Sequence, residues 1–124
     1  MDKTLEYEFN LKPFLSGSRV YGGFDEDSDW DVVITFKDSI LIRRILTLLN
    51  IETTSVSSSH ETSFYVVLNN KKINFIEVDD IEMQSWRYAT KCLSGMGIIA
   101  DKDERVEKFR QKRSEFMDSF EKYF

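Results

Sequence analysis

Two hydrophobic periods alternate along the 124-residue chain, and their order lays out the elements. Residues 1–12 are mixed and charged and read as a lead-in. Pro13, the only proline, is followed by Phe14, Leu15 and Ser16, a brief strand ending at a Gly-Ser turn. A short helix from Ser18 must stop at Gly22 and Gly23, and an acidic loop over residues 24–28 then enters a strand over residues 29–36. Past its second carboxylate that strand is almost continuously apolar, as a central strand covered on both faces should be. Asp38 or Ser39 can cap a helix over residues 40–50. There Ile42, Ile45, Leu46 and Leu49 fall at i, i+3, i+4 and i+7 and predict one apolar face against a sheet.

Residues 53–62 are rich in Ser and Thr and read as an edge strand plus turn. Residues 64–68 and 73–78 are β-rich runs separated by Asn69, Asn70, Lys71 and Lys72, which predicts a hairpin. Asp79 and Asp80 favour a helix start, and Trp86, Ala89, Thr90 and Leu93 repeat at helical spacing until Gly95. Gly95-Met96-Gly97 forms a joint. A last helix from about residue 103 carries the stripe Val106, Phe109, Phe116, Phe120 and Tyr123. This order predicts an α/β (α+β) domain, a mixed sheet flanked by helices with two helices at the C-terminal end.

Composition narrows the function classes. The length suits one domain over residues 1–124, with no internal repeat and no shift in composition. A net charge of −5 disfavours broad nucleic-acid binding, although a local basic groove is compatible with it. The lone Cys92 cannot form an intramolecular disulfide and has no zinc-like surroundings. No apolar run reaches the ~20 residues needed to cross a bilayer, and the first residues lack an apolar signal core, so a cytoplasmic, membrane-free protein is expected.

The chemistry concentrates in residues 17–34, GSRVYGGFDEDSDWDVVI. In an extended strand, side chains at i and i+2 share a face, so Asp29 and Asp31 stand together while Trp30 points away. Their repulsion is relieved by a divalent cation, and Mg²⁺ is typically held by one or two carboxylates plus substrate phosphate oxygens. Gly17 permits close approach to the backbone. Ser18 offers a hydroxyl at a helix start, where free N–H groups attract phosphate. Together these suit metal-assisted nucleotide chemistry.

The Gly-Ser pair, Arg19, Gly22 and the Asp-Ser-Asp-x-Asp run from Asp27 to Asp31, followed by Val32, Val33 and Ile34, resemble the signature of the polymerase-β-like nucleotidyltransferase superfamily, especially its minimal members. The likeness extends to about residue 80. It implies a nucleotidyltransferase fold, Asp29 and Asp31 as ligands of Mg²⁺ or Mn²⁺, and Gly17 and Ser18 on the triphosphate of an NTP such as ATP. Arg19 is a candidate for steadying phosphates, equally readable as solvated surface. The implied reaction moves a nucleoside monophosphate from the NTP to a hydroxyl, with pyrophosphate leaving. Some minimal members pair with a helical toxin and modify it, so the resemblance admits a protein acceptor.

One position departs from that pattern. The family places a third carboxylate on a later strand, and the matching stretch here is Ile73-Asn74-Phe75-Ile76, with Asn74 at the acidic position. An amide oxygen can ligate Mg²⁺, but it adds no negative charge and takes no proton. By strand alternation Glu77 falls on the opposite face, and Asp79 has the same wrong parity. A catalytically degenerate protein that binds nucleotide or a partner without transfer is therefore the second reading. Lys71 and Lys72 read as turn residues, His60 as a bystander in a polar loop, and Trp86 as core. Lys108, Arg110, Lys112 and Arg113 read as a solvated face that could contact nucleic-acid phosphates.

Overall fold

The computed structural model describes residues 10–57 and 62–123. The first nine residues, His60 with the turn around it, and the side chain of Tyr123 lie outside the described residues. Among the described residues five strands and four helices follow in the order β1 (Phe14–Ser16), α1 (Ser18–Tyr21), β2 (Trp30–Thr35), α2 (Phe36–Leu48), β3 (Thr54–Ser57), β4 (Thr62–Leu68), β5 (Lys71–Val78), α3 (Asp80–Gly95) and α4 (Lys102–Tyr123). The strands form one mixed sheet, ordered β1-β2-β5-β4-β3. Only β2 and β5 pair in parallel, at the centre, and the other three pairings are antiparallel.

Strand alternation divides the core between two faces of the sheet. Ile34, Phe64 and Val66 pack with Leu46 and Ile42 of α2, and the Phe64 ring stacks on Phe75 at 4.9 Å between centroids. On the other face Val33, Ile76 and Val78 pack with Met83 of α3, with Phe14 and Trp86 at the margin. Helix α4 lies against α3, where Phe109 joins Ala89 and Leu93 beside Tyr21 and Trp86. The result is a layered order of α2, sheet, α3 and α4.

Two boundaries differ from the sequence expectation. Helix α2 begins at Phe36, directly after the strand, because Thr35 rather than Asp38 or Ser39 is its cap; the Thr35 side chain accepts from the Asp38 N–H at 3.2 Å. The helix also presents Ser39, Ile42 and Leu46 to the sheet, leaving Ile45 and Leu49 46% and 63% exposed. The physical reason is Glu77, half-buried on this face, which accepts from Ser39 Oγ and from Arg43 Nη2 at 3.3 Å. Ser39 and Arg43 lie one helical turn apart, so satisfying the carboxylate fixes the helix rotation.

The hairpin turn is shorter than expected. Asn69 and Asn70 alone form it, both with left-handed φ of 51° and 64°, which is the backbone of a two-residue hairpin turn that matches strand twist. Lys71 and Lys72 therefore belong to β5. At the far edge, β3 is an exposed strand as anticipated, and Asp79 caps α3 by accepting from the Glu82 N–H at 2.7 Å.

Phe64 is fully buried, stacked on Phe75 and covered by the Arg43 guanidinium at 4.1 Å. Replacing it with Ala should destabilise the fold by about 3–5 kcal/mol, read as a lower urea midpoint. A loss below about 1 kcal/mol, within the range of surface substitutions, would contradict this account of the core.

Candidate active site

The strand pairings set a row of side chains across one face of the sheet. Ser16 of β1 pairs with Asp31 of β2, Asp31 with Asn74 of β5, and Asn74 with Tyr65 of β4. This is the face covered by α3, since Ser16 Oγ lies 2.8 Å from Thr90 Oγ1 of that helix. Asn74 Nδ2 donates a long hydrogen bond to Asp31 Oδ1 at 3.4 Å. The chain thus brings together the two residues that its sequence separates by more than forty positions. Glu77 stands on the opposite face with α2, and Asp79 is occupied as a helix cap.

Gly17 sits directly against Asp31. Its φ is +78°, and a Cβ added there would come 2.3 Å from Asp31 Oδ2. Glycine is required on both counts, backbone conformation and space. The room that the sequence suggested for a ligand at this Cα is filled by the Asp31 carboxylate, so Gly17 acts first by letting that carboxylate seat. Helix α1, only four residues long, sets Ser18 at its first turn.

Asp29 precedes β2, with a lysine on one side and a tethered loop on the other. Lys72, two positions before Asn74 on the same face of β5, places its Nζ 3.6 Å from Asp29 Oδ2 and lies over the Tyr65 ring at 4.3 Å. Both partners of this ion pair are more than a third exposed, so the pair is weak and can yield to a stronger cation. On the other side, Arg19 donates to the carbonyls of Asp25, Glu26 and Ser28 at 3.0–3.3 Å. Its guanidinium stacks between Phe24 and Trp30, 4.9 and 4.4 Å from the ring centroids. In this arrangement Arg19 clamps the acidic loop that delivers Asp29, a role its motif position did not disclose. Lys71 approaches the same Trp30 ring at 5.7 Å.

The donor set fits one divalent ion better than two. Asp29 and Asp31 would supply two carboxylates, the number Mg²⁺ takes when substrate phosphates and water complete its shell. Among the described residues, no group of three or more His, Cys, Asp or Glu side chains is placed to hold a metal. Asn74 contributes a neutral amide whose N–H₂ faces Asp31 in this arrangement.

A cavity of about 250 Å³ opens beside Asp31 and Asn74, with Trp86, Tyr21 and two side chains of α4, Arg110 and Arg113, in its walls. Along the sequence these arginines belong with Lys108 and Lys112 to one basic run. Helical phase separates them: Lys112 turns to Glu115, 3.1 Å away, whereas Arg110 and Arg113 reach the cavity. The missed signal is the spacing of Val106, Phe109, Arg110 and Arg113, which places both arginines on the apolar stripe of the helix. Trp86, expected in the core, packs at the edge of two core clusters and also lines this cavity.

No protein-family model matches the chain, and no curated protein matches it by sequence. Solved structures do match. A crystal structure of the Cid1 poly(U) polymerase superposes with a TM-score of 0.52 at 12% identity, covering 68% of this chain and 28% of that one. A variant of Cid1 bound to MgATP gives 0.51 at 12%, over 68% and 29%. A further Cid1 structure, described for its RNA terminal uridylyl transferase activity, gives 0.51 at 13%, over 68% and 28%. The five-stranded mixed sheet with its helices is accordingly a nucleotidyltransferase fold. This chain spans less than a third of the length of the solved chains it matches.

Tyr21 reports on the charge of the site. Burial chiefly, and then the nearby Asp31 carboxylate, raises its phenol above the usual tyrosine value, while Arg105 acts in the opposite sense. The native state therefore keeps this proton where the unfolded chain would lose it. The associated stability is complete below the unfolded pKa and is lost as pH rises through the folded one. Asp31→Asn should move the Tyr21 titration down in pH yet leave it above the usual value, because burial persists. Ultraviolet titration against a Tyr21→Phe blank measures this, and an unchanged or upward shift would contradict the placement of Asp31.

Proposed function

We propose that the chain is a nucleotidyltransferase that uses Mg²⁺ or Mn²⁺, taking a nucleoside monophosphate from an NTP such as ATP to a hydroxyl acceptor. The single observation that carries this reading is the seating of Asp31 between Gly17 and Asn74, and the loop that leads to Asp29 is held by Arg19. The solved proteins that share the fold support the substrate class: Cid1 is described as a poly(U) polymerase, and one of its structures is bound to MgATP.

In this reading Asp29 and Asp31 hold the divalent ion, which when bound offsets the phosphate charge and that of the departing pyrophosphate. Its weak, exposed pairing with Lys72 would leave Asp29 available for that ligation. Ser18 and the backbone after Gly17 orient the triphosphate. The acceptor oxygen attacks the α-phosphorus, the bond to the pyrophosphate oxygen breaks, and the acceptor proton passes to water, since Asn74 can orient a hydroxyl through Oδ1 but cannot take its proton. A protein hydroxyl remains compatible as acceptor.

A second reading has its own observation. The Asn74 amide donates to the very carboxylate that would ligate the ion, as expected of a site that has lost its third acid and now binds nucleotide without transfer.

Incubation with each of four α-labelled NTPs and Mg²⁺ or Mn²⁺, presented with the protein itself and with cell-extract components, separates the two. Label is expected on an acceptor with wild type and only background with the double variant Asp29→Ala, Asp31→Ala. Asn74→Asp should increase transfer by about 10²-fold, the usual contribution of a positioned general base. Transfer by Asn74→Asp alone would establish the binding reading. Absence of label from every form, together with absence of metal-dependent nucleotide binding, would overturn both.

A further inference from the structure

The charge on the Asn74 side of the site is opposite to what a second cation needs. A two-metal site surrounds its ions with acidic ligands, but here the third acid is an amide and two guanidinium groups share the cavity with it. A divalent ion placed there would meet the Asp31 carboxylate and, in the same walls, the side chains of Arg110 and of Arg113, the latter loosely paired with Glu82.

Arg113 is also held in orientation. Arg113 Nε donates to Ser85 Oγ at 3.3 Å, and its guanidinium lies 4.8 Å from the Trp86 ring centroid. Its Nη2 is 3.9 Å from Glu82 Oε2, a long ion pair between partly exposed groups. Ser85 is fully buried and donates its own proton to the Glu82 carbonyl at 2.7 Å, so its lone pairs face Arg113. Ring and hydroxyl together fix the plane of the guanidinium, and Arg110 stands one turn away on the same side of α4. A planar, pre-oriented guanidinium beside a second one is the arrangement that receives phosphate oxygens.

From this we infer that Arg110 and Arg113 form an anion subsite that takes a phosphate group of the acceptor, in the place where a third carboxylate would have assembled a second metal. The inference rests on the nucleotidyl-transfer reading and narrows it: the site holds one divalent ion, and the acceptor carries a phosphate near its reacting hydroxyl. The Trp86 edge and the adjoining apolar wall of the cavity suit the remainder of such a molecule. The overall acidity of the chain does not oppose this, because the relevant charge is local.

The test uses the full chain and two probes, a dinucleoside monophosphate and a non-hydrolysable NTP analogue with Mn²⁺. Arg110→Gln with Arg113→Gln should weaken the dinucleoside monophosphate at least tenfold and change affinity for the NTP analogue by less than twofold. The exposed Arg110→Gln alone, which leaves the Ser85 and Trp86 contacts in place, should show part of the same loss. Manganese counted by electron paramagnetic resonance with the NTP analogue should reach one ion per chain in wild type and two in Asn74→Asp. Two ions in wild type would overturn the inference, as would equal weakening of both probes or of neither. Failure of wild type to bind the NTP analogue at all would instead be failure of the underlying nucleotide reading.

Discussion

The parallel pairing of β2 with β5 is the constraint on which the site depends. It is the one parallel contact in the sheet, and it joins strands separated by a helix, an edge strand and a hairpin partner. A slip of one residue would bring Ile73 or Phe75 beside Asp31 and turn Asn74 away. Register is held on both faces at once. Val33 and Ile76 are buried under α3, Ile34 and Phe64 under α2, and Glu77 must reach Ser39 and Arg43. The two-residue turn at Asn69 and Asn70 then locks β4 to β5, so the hairpin cannot shift without exposing the Phe64 and Phe75 stack.

Around that register the site is assembled by short elements under tight steric control. Gly17 leaves room for the Asp31 carboxylate, and Arg19 gathers the carbonyls of the acidic loop between two aromatic rings. The joint between α3 and α4 supports the same region: a Cβ at Gly23 would strike the Arg105 guanidinium, which itself donates to the Ile99 and Ala100 carbonyls. The loop that carries Asp29 and the helix that carries Arg110 and Arg113 are thus packed together.

Charge shows why averages mislead here. The chain as a whole carries −5, which disfavours an extended nucleic-acid surface. Within the cavity the balance is different, because two arginines of α4 meet one carboxylate and one amide. Electrostatics at a site is decided by what lies within a few ångström, where screening is weakest. The same argument explains the Tyr21 phenol, raised first by burial and then by Asp31.

Much of this was legible in the sequence. The strand, helix and hairpin runs, the place of Asn74 and the wrong parity of Glu77 all follow from periods of 2.0 and 3.6 residues, which are local properties of the backbone. The cap at Thr35, the rotation of α2, the role of Arg19 and the division of the basic run were not legible, because each depends on a partner distant in sequence. Glu77 turns α2, the carbonyls of a loop occupy Arg19, and the packing of α4 on α3 brings Arg110 and Arg113 to the cavity that Asp31 lines. The sequence by itself determined which face of β2 carries Asp31 and which face of β5 carries Asn74. Only the tertiary structure decided which faces meet, since that depends on packing and polar satisfaction across the whole chain, and no local period encodes them.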